Sequence, residues 1–173
     1  VAVLGLGRFG TQLVNELVAM GVEVLAVDSH ADLVNDVAET APLAAQGNAS
    51  DIEFLTSLGL EVYDVVCVAI GSEVATSVLV TLNLKRRFGL KHVVAKASTK
   101  DHAEALRLAG ADLVVSPEQE AAVGLAHTLG PSSHLQEYIS LGPTFGCAKV
   151  DAQASAVGRA LSQLDAFKKH HVL

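Results

Sequence analysis

Three glycines and one acid carry the most chemistry in this chain. Gly5, Gly7 and Gly10 stand as G-x-G-x-x-G within Gly5-Leu6-Gly7-Arg8-Phe9-Gly10, and Asp28 follows 18 residues after Gly10. Glycines at this spacing let the backbone turn tightly and approach phosphate oxygens. A helix starting at Arg8–Gly10 offers those oxygens free N–H groups and a positive dipole end. The motif alone is weak, because 14 glycines occur in 173 residues. Its context strengthens it: Val1-Ala2-Val3-Leu4 precedes it, an amphipathic stretch runs on to Met20, and a second apolar run from Val22 ends on Asp28. Strand, loop, helix, strand and acid in this order make the first unit of a dinucleotide-type fold and predict an adenine nucleotide ligand. Asp28 reads as the acceptor for a ribose 2′,3′-diol, which disfavours a 2′-phosphate. The plainer alternative is a solvated acid at a strand end. Ser29 and His30 follow, with no neighbouring arginine to welcome NADP.

Other candidates fall at strand ends, where ligands of open α/β sheets collect. Gly47-Asn48-Ala49-Ser50 follows the third strand; Asn48 and the backbone after it could bracket the adenine, or the segment is a plain turn. Ala69-Ile70-Gly71 closes a central strand with small and apolar residues, leaving room for a ribose or base, although a tight turn asks for the same glycine. Lys96 closes the fifth strand and suits phosphate as an ammonium, or snorkels at an edge. Glu118 sits in a first helical turn, which the dipole favours in any case. Coordination of a metal beside a triphosphate is its sharper reading. Arg8 occupies the loop position directly after Gly7, beside Phe9, where a guanidinium clamps terminal phosphates or reaches another subunit. Cys67 reads as an inert core thiol, and with Cys147 it has no metal-ligand spacing. His102, His127, His134, His170 and His171 share no ligand spacing, and no Ser/His/Asp set is recognisable.

The elements that must position these residues are well punctuated. Helices are predicted over 31–40, from Ser50 with Glu53 as a capping box to Gly59, from Gly71-Ser72 to Phe88, and from Thr99 to Ala109. Strands are predicted at Leu43–Ala45, Val65–Ile70, His92–Ala95 and Leu113–Val115, and Ser116-Pro117-Glu118-Gln119 opens a further helix. Glycines 21, 59, 89 and 110 each separate a helix from the next strand. This spacing predicts an α/β fold, a Rossmann-like doubly wound parallel sheet of six strands over residues 1–130. Gly130-Pro131-Ser132-Ser133 marks a boundary, residues 131–147 read as linker and crossover helix (about 134–140), and 148–173 as the start of a small lobe. That lobe holds a short strand, Ala148–Val150, and an amphipathic piece, Val157–Phe167, too short for a core of its own. Leu135, Tyr138 and Ile139 on the crossover helix have nothing in their own domain to cover them, which predicts a dimer.

Composition narrows the function classes. A net charge of −7 excludes sequence-independent nucleic-acid binding and attraction to an anionic membrane surface. Half the residues are apolar, suiting a sheet buried on both faces, yet no run approaches the ~20 residues of a membrane span. With no signal-peptide pattern and two cysteines, a cytoplasmic location is expected. Both ends read as cut, since the chain starts inside a strand and stops on Val172-Leu173.

With Gly5–Gly10, Asp28, Gly47–Ser50, Ala69–Gly71, Lys96 and Gly110-Ala111-Asp112…Ser116-Pro117-Glu118 in place, the chain resembles the RCK/KTN family, regulatory domains of Trk- and Ktr-type potassium channels and transporters. The likeness is close over 1–130 and looser beyond, where Val157-Gly158-Arg159-Ala160-Leu161 is similar to the opening of the family's C-terminal lobe. The resemblance implies a cytosolic regulatory subunit, dimeric and assembling into an octameric ring under a membrane potassium-translocating subunit, without inserting itself. ATP against ADP, or NADH against NAD, would reshape the ring. It also implies that Asp28 holds ribose, Gly7–Gly10 the phosphates, Lys96 the terminal phosphates, Glu118 a magnesium or other cation, and Arg8 the γ-phosphate of a neighbouring subunit. Asn48 stands where an aspartate is common, and Glu118-Gln119-Glu120 lacks the usual following basic residue, so the metal's identity stays open. The competing class is an NAD-dependent oxidoreductase whose substrate domain lies beyond residue 173. No acid/base residue or substrate pocket is recognisable after the sixth strand, which favours a sensor without turnover.

Overall fold

Short apolar runs bounded by turn residues become strands, and the amphipathic stretches between them become helices. The computed structural model of the chain describes residues 1–130, 135–140, 146–152, 154 and 156–160. Two units are distinguished, Val1–Glu118 and Gln119–Leu173.

The first unit alternates strand and helix: β1 (Ala2–Leu4), α1 (Arg8–Ala19), β2 (Leu25–Asp28), α2 (Ala31–Ala38), β3 (Leu43–Gln46) and α3 (Ile52–Ser57). A 3-10 turn at Leu60–Val62 leads to β4 (Val66–Val68), α4 (Val74–Arg86), β5 (Val93–Lys96), α5 (Lys100–Ala109) and β6 (Leu113–Val115). The six strands form one parallel sheet in the order β3-β2-β1-β4-β5-β6, the doubly wound arrangement read from the sequence. Leu4 pairs with Val27 on one side and Val68 on the other, so the central strands end level with one another. Alternation sorts each strand onto two faces. Val3, Ala26 and Cys67 bury against Val14, Val34 and Val37, while Leu4, Val27 and Val68 bury against Leu55, Val80 and Leu84. Burial pushes the Cys67 thiol up to about 12, which makes it the inert core thiol expected. Gly110 ends α5 at φ 105, a left-handed conformation that suits glycine.

Two local expectations are corrected. The residue capping α3 is Asp51, whose carboxylate accepts the N–H groups of Glu53 (2.9 Å) and Phe54 (3.3 Å), not Ser50. Ser50 is engaged one step earlier, its N–H donating to Asn48 Oδ1 at 2.8 Å in an Asx turn. α4 begins at Val74 and ends at Arg86, which leaves Gly71, Ser72 and Glu73 as a non-helical approach to the helix.

In the chain's remainder, α6 runs over Pro117–Leu129, with the proline at its first position as predicted. The crossover helix over 134–140 is not formed. Leu135–Ser140 is instead a strand, β7, paired antiparallel with β8 (Gly146–Val150), which includes the predicted strand at Ala148–Val150. The register shifts between Leu135 and Glu137, a bulge that inserts one residue into β7. Leu135, Tyr138 and Ile139 keep in sequence the i, i+3, i+4 spacing of a helix, but the backbone here is extended. The Tyr138 ring stacks on His127 of α6, centroids 3.8 Å apart. Residues 131–134 of the linker, Gly142-Pro143, His170, His171 and the amphipathic piece beyond Ala160 lie outside the described residues.

Candidate functional site

Where strand order reverses between β1 and β4, the helices leave in opposite directions and open a crevice at the carboxyl edge of the sheet. A cleft of about 470 Å³ occupies this position. It gathers Gly5, Gly7, Arg8, Phe9, Asp28, Ser29, Asn48, Ala49, Ala69, Ile70, Gly71, Lys96 and Glu118 from six segments of the first unit. Of the residues singled out in the sequence, only Gly10 and Ser50 do not line it.

The loop after β1 is shaped by its glycines. Gly5 takes φ 101 and its N–H donates to the Val27 carbonyl at 2.8 Å, tying the loop to the end of β2. A Cβ on Gly10 would overlap the Gly5 carbonyl oxygen, so this buried glycine lets α1 pack onto the loop instead of facing a ligand. A Cβ on Gly7 would meet nothing within 4 Å. Gly7 is the N-cap of α1 and no side chain caps the helix, so its first N–H groups point toward open space, as an anion site requires.

Asp28 closes the loop from below. Its side chain is 11% exposed; Oδ2 accepts the Leu6 N–H at 2.7 Å, and Oδ1 accepts the His30 N–H and the His30 ring Nδ1, both at 2.9 Å. Burial raises the carboxyl's pKa, but the Leu6 and His30 amides and the His30 ring outweigh it and hold the group below the usual carboxylate value. Asp28 is therefore charged, and it serves the loop as well as facing the cleft.

At the opposite end, Lys96 Nζ bonds Glu118 Oε1 at 2.7 Å and lies 5.7 Å from the Phe9 ring centroid. The lysine is largely buried (13% exposed) and the glutamate is not (66%). The Lys96 hydrogen bond, the Glu118 N–H in the first helical turn and the positive charges of Lys96 and Arg8 hold the Glu118 carboxyl below its ordinary value. Lys96 also approaches Gly71, whose added Cβ would lie 3.3 Å from Nζ. Arg8 is exposed at the rim, so its guanidinium is available to a ligand without a cost in buried contacts. Among the described residues no three His, Cys, Asp or Glu side chains gather as a metal site.

Several lining residues escaped the sequence reading: Val27, His30, Leu33, Ser72, Glu73, Thr76 and Ser98. Ser72, Glu73 and Thr76 were hidden because α4 was expected to begin directly after Gly71; the later start turns them toward the cleft, where Thr76 Oγ1 donates to Glu73 Oε2 at 2.8 Å. Ser98 stands on a buried histidine. Its N–H donates to His102 Nδ1 (3.2 Å), which leaves the proton on Nε2 to donate to Ser77 Oγ (2.6 Å). Burial lowers the His102 pKa, so the ring is neutral and fixes the β5–α5 turn beside the site.

The family model of the TrkA-N domain matches residues 1–117. Ktr system potassium uptake protein C of Bacillus subtilis (strain 168) is 36% identical over 171 residues, covering 99% of this chain and 76% of that protein. The fold is similar to the crystal structure of the TrkA-N domain of inner membrane protein ybaL from Escherichia coli (TM-score 0.68, 22% identity, covering 75% of this chain and 95% of that one). It is also similar to the NAD(P)-binding domain of an exopolyphosphatase-related protein from Archaeoglobus fulgidus (TM-score 0.61, 27% identity, covering 70% and 91%).

Proposed function

The chain belongs to the TrkA-N domain family, and from that premise we propose that it is a cytosolic regulatory subunit of potassium uptake. It binds ATP or ADP in the cleft and gates potassium flux through a membrane partner by changing shape. The observation that carries this reading is the Asp28 loop: a charged acceptor at the end of β2 holds the Leu6 N–H, and the loop leads directly into the uncapped N-terminus of α1. The 36% identical relative is named for a potassium uptake system, and among the described residues no helix is long and apolar enough to cross a membrane. In this reading a separate membrane subunit translocates potassium, and this chain works as a homo-oligomer, a dimer within an octameric ring, as the family resemblance implies.

In this reading Asp28 takes the ribose, the α1 N–H groups the phosphates, and Lys96 and Arg8 the terminal phosphates. A divalent cation bound with ATP would take Glu118 as its one protein carboxylate and the remaining oxygens from phosphate and water, the mode magnesium prefers. In this reading the cleft binds without hydride transfer, its two carboxylates Asp28 and Glu118 being engaged by the Leu6 N–H and by Lys96. NAD or NADH is the second reading. It draws on the 27% identical NAD(P)-binding domain and on the polar far wall of Ser72, Thr76 and Ser98.

Calorimetric titration with ATP, ADP, NAD and NADH, repeated on Arg8→Ala, tests both. ATP⁴⁻ carries about one more charge than ADP³⁻, and a charged guanidinium–phosphate contact contributes about 1.5–3 kcal/mol. Arg8→Ala is expected to weaken ATP about 10- to 100-fold and ADP little. Equal losses make Arg8 a support of the loop, and NADH binding tighter than either mononucleotide moves the assignment to the dinucleotide.

A further inference from the structure

The Asp28 carboxylate cannot accept a vicinal diol as it stands. An ionised carboxylate offers about four acceptor positions, two on each oxygen. Three are taken: Oδ2 by the Leu6 N–H, and Oδ1 by both the N–H and the ring of His30. Only one position, on Oδ2, remains, whereas a diol held across the carboxylate needs one on each oxygen. Two of the three occupants are main-chain groups fixed by the loop and by the start of α2. The third is an imidazole whose side chain is 75% exposed. Its Nδ1 also lies 3.3 Å from Ser29 Oγ, an alternative partner that needs only a small ring rotation. His30 is the N-cap residue of α2 but makes no side-chain capping bond, so nothing in the helix requires its ring.

We propose that His30 is a specificity-determining residue of the ribose subsite, its ring holding the place of one diol hydroxyl on Asp28 Oδ1 and leaving for the Ser29 hydroxyl when the diol binds. The inference rests on the nucleotide reading above. The ring satisfies a largely buried carboxylate while the cleft is empty, and its departure lowers the net gain from ribose binding. A ligand without ribose hydroxyls never displaces it.

The test compares ATP with 2′,3′-dideoxy-ATP on the parent chain, His30→Ala and His30→Phe; phenylalanine keeps an aromatic ring over the cleft without the nitrogen. Both variants are expected to bind ATP about three- to tenfold more tightly than the parent, the scale of one net hydrogen bond, with dideoxy-ATP unchanged. Parallel shifts for the two nucleotides overturn the inference, since they mean a general electrostatic or packing effect. Weaker ATP binding in both variants also overturns it, because the ring is then a ligand contact. An unchanged ATP affinity shows that the ring holds nothing the diol needs. If ATP, ADP, NAD and NADH all fail to bind the parent, the nucleotide reading itself falls and this inference with it.

Discussion

The two ends of the cleft are built by different parts of the chain. At the Asp28 end the groups that fix geometry are main-chain: the N–H groups of Gly5, Leu6 and His30 and the close approach of Gly10 to Gly5. At the Glu118 end two long side chains hold each other, one from the end of β5 and one from the first turn of α6. The first end is set by folding, whatever occupies the cleft. The second is an ion pair whose acidic member is mostly in water, where such pairs contribute little to stability and are easily replaced. On the proposed reading, an incoming nucleotide meets a fixed main-chain frame at Asp28, where only the His30 ring has to move, and a phosphate end where it competes with Glu118 for Lys96.

The contrast is tested most severely inside the glycine loop. Gly10→Ala places a methyl group onto the Gly5 carbonyl oxygen, which is backbone and cannot swing aside. A destabilisation of about 3 kcal/mol or more is expected, at the upper end of overpacking costs, visible as a lowered thermal midpoint. Gly7→Ala has open space around its added methyl and a φ of −64, so it should keep the parent midpoint. A nucleotide brought close to Gly7 would then lose affinity. Equal melting of the two variants would show that the loop is not a rigid frame.

Next in size is Asp28→Ala. Losing a charged acceptor should weaken any ribonucleotide about 10- to 100-fold. The same carboxylate also links stability to pH. Its folded pKa is depressed, so its contribution is fully present above the ordinary carboxylate value and is lost as pH falls through the lower, folded value. Acid unfolding of the parent should therefore steepen below about pH 4, and Asp28→Ala should flatten part of that slope. A variant with parent affinity and parent acid sensitivity would reduce Asp28 to a surface acid.

Most of this architecture was legible because its signals are local. The six strands and the six helices between and after them announce themselves through apolar runs and helix-stop glycines, and Gly5 to Asp28 sits in one continuous stretch of sequence. The misreadings fall where a second segment decides the outcome. Leu135, Tyr138 and Ile139 have the sequence spacing of a helix, and only pairing with Gly146–Val150 makes the segment a strand. Asp51 and Ser50 are both good caps; Asn48 settles the matter by engaging the Ser50 amide first. Glu73 and Thr76 depend on where α4 starts, and Ser98 on His102 and Ser77, 4 and 21 residues away in sequence. The missing Cβ of Gly10 serves packing against the Gly5 carbonyl, a role that spacing alone does not distinguish from a phosphate contact.

The smallest effect is expected at the side-chain end, from Glu118→Gln. The amide keeps the shape of the side chain but removes the charge that holds Lys96, so the ammonium is freed for phosphate. Without divalent cations ATP should bind about two- to threefold more tightly, because an exposed ion pair is a weak competitor. With magnesium the sign should reverse. If Glu118 supplies the one protein carboxylate to a cation shared with the phosphates, the variant loses the tightening that magnesium gives the parent. Titrating ATP in chelator and again in magnesium separates the two roles within one protein. Tighter binding in both conditions leaves Glu118 as a competitor only and removes the metal from the site. No change in either means that Lys96 reaches phosphate while still paired, and then the two ends of the cleft are equally preformed.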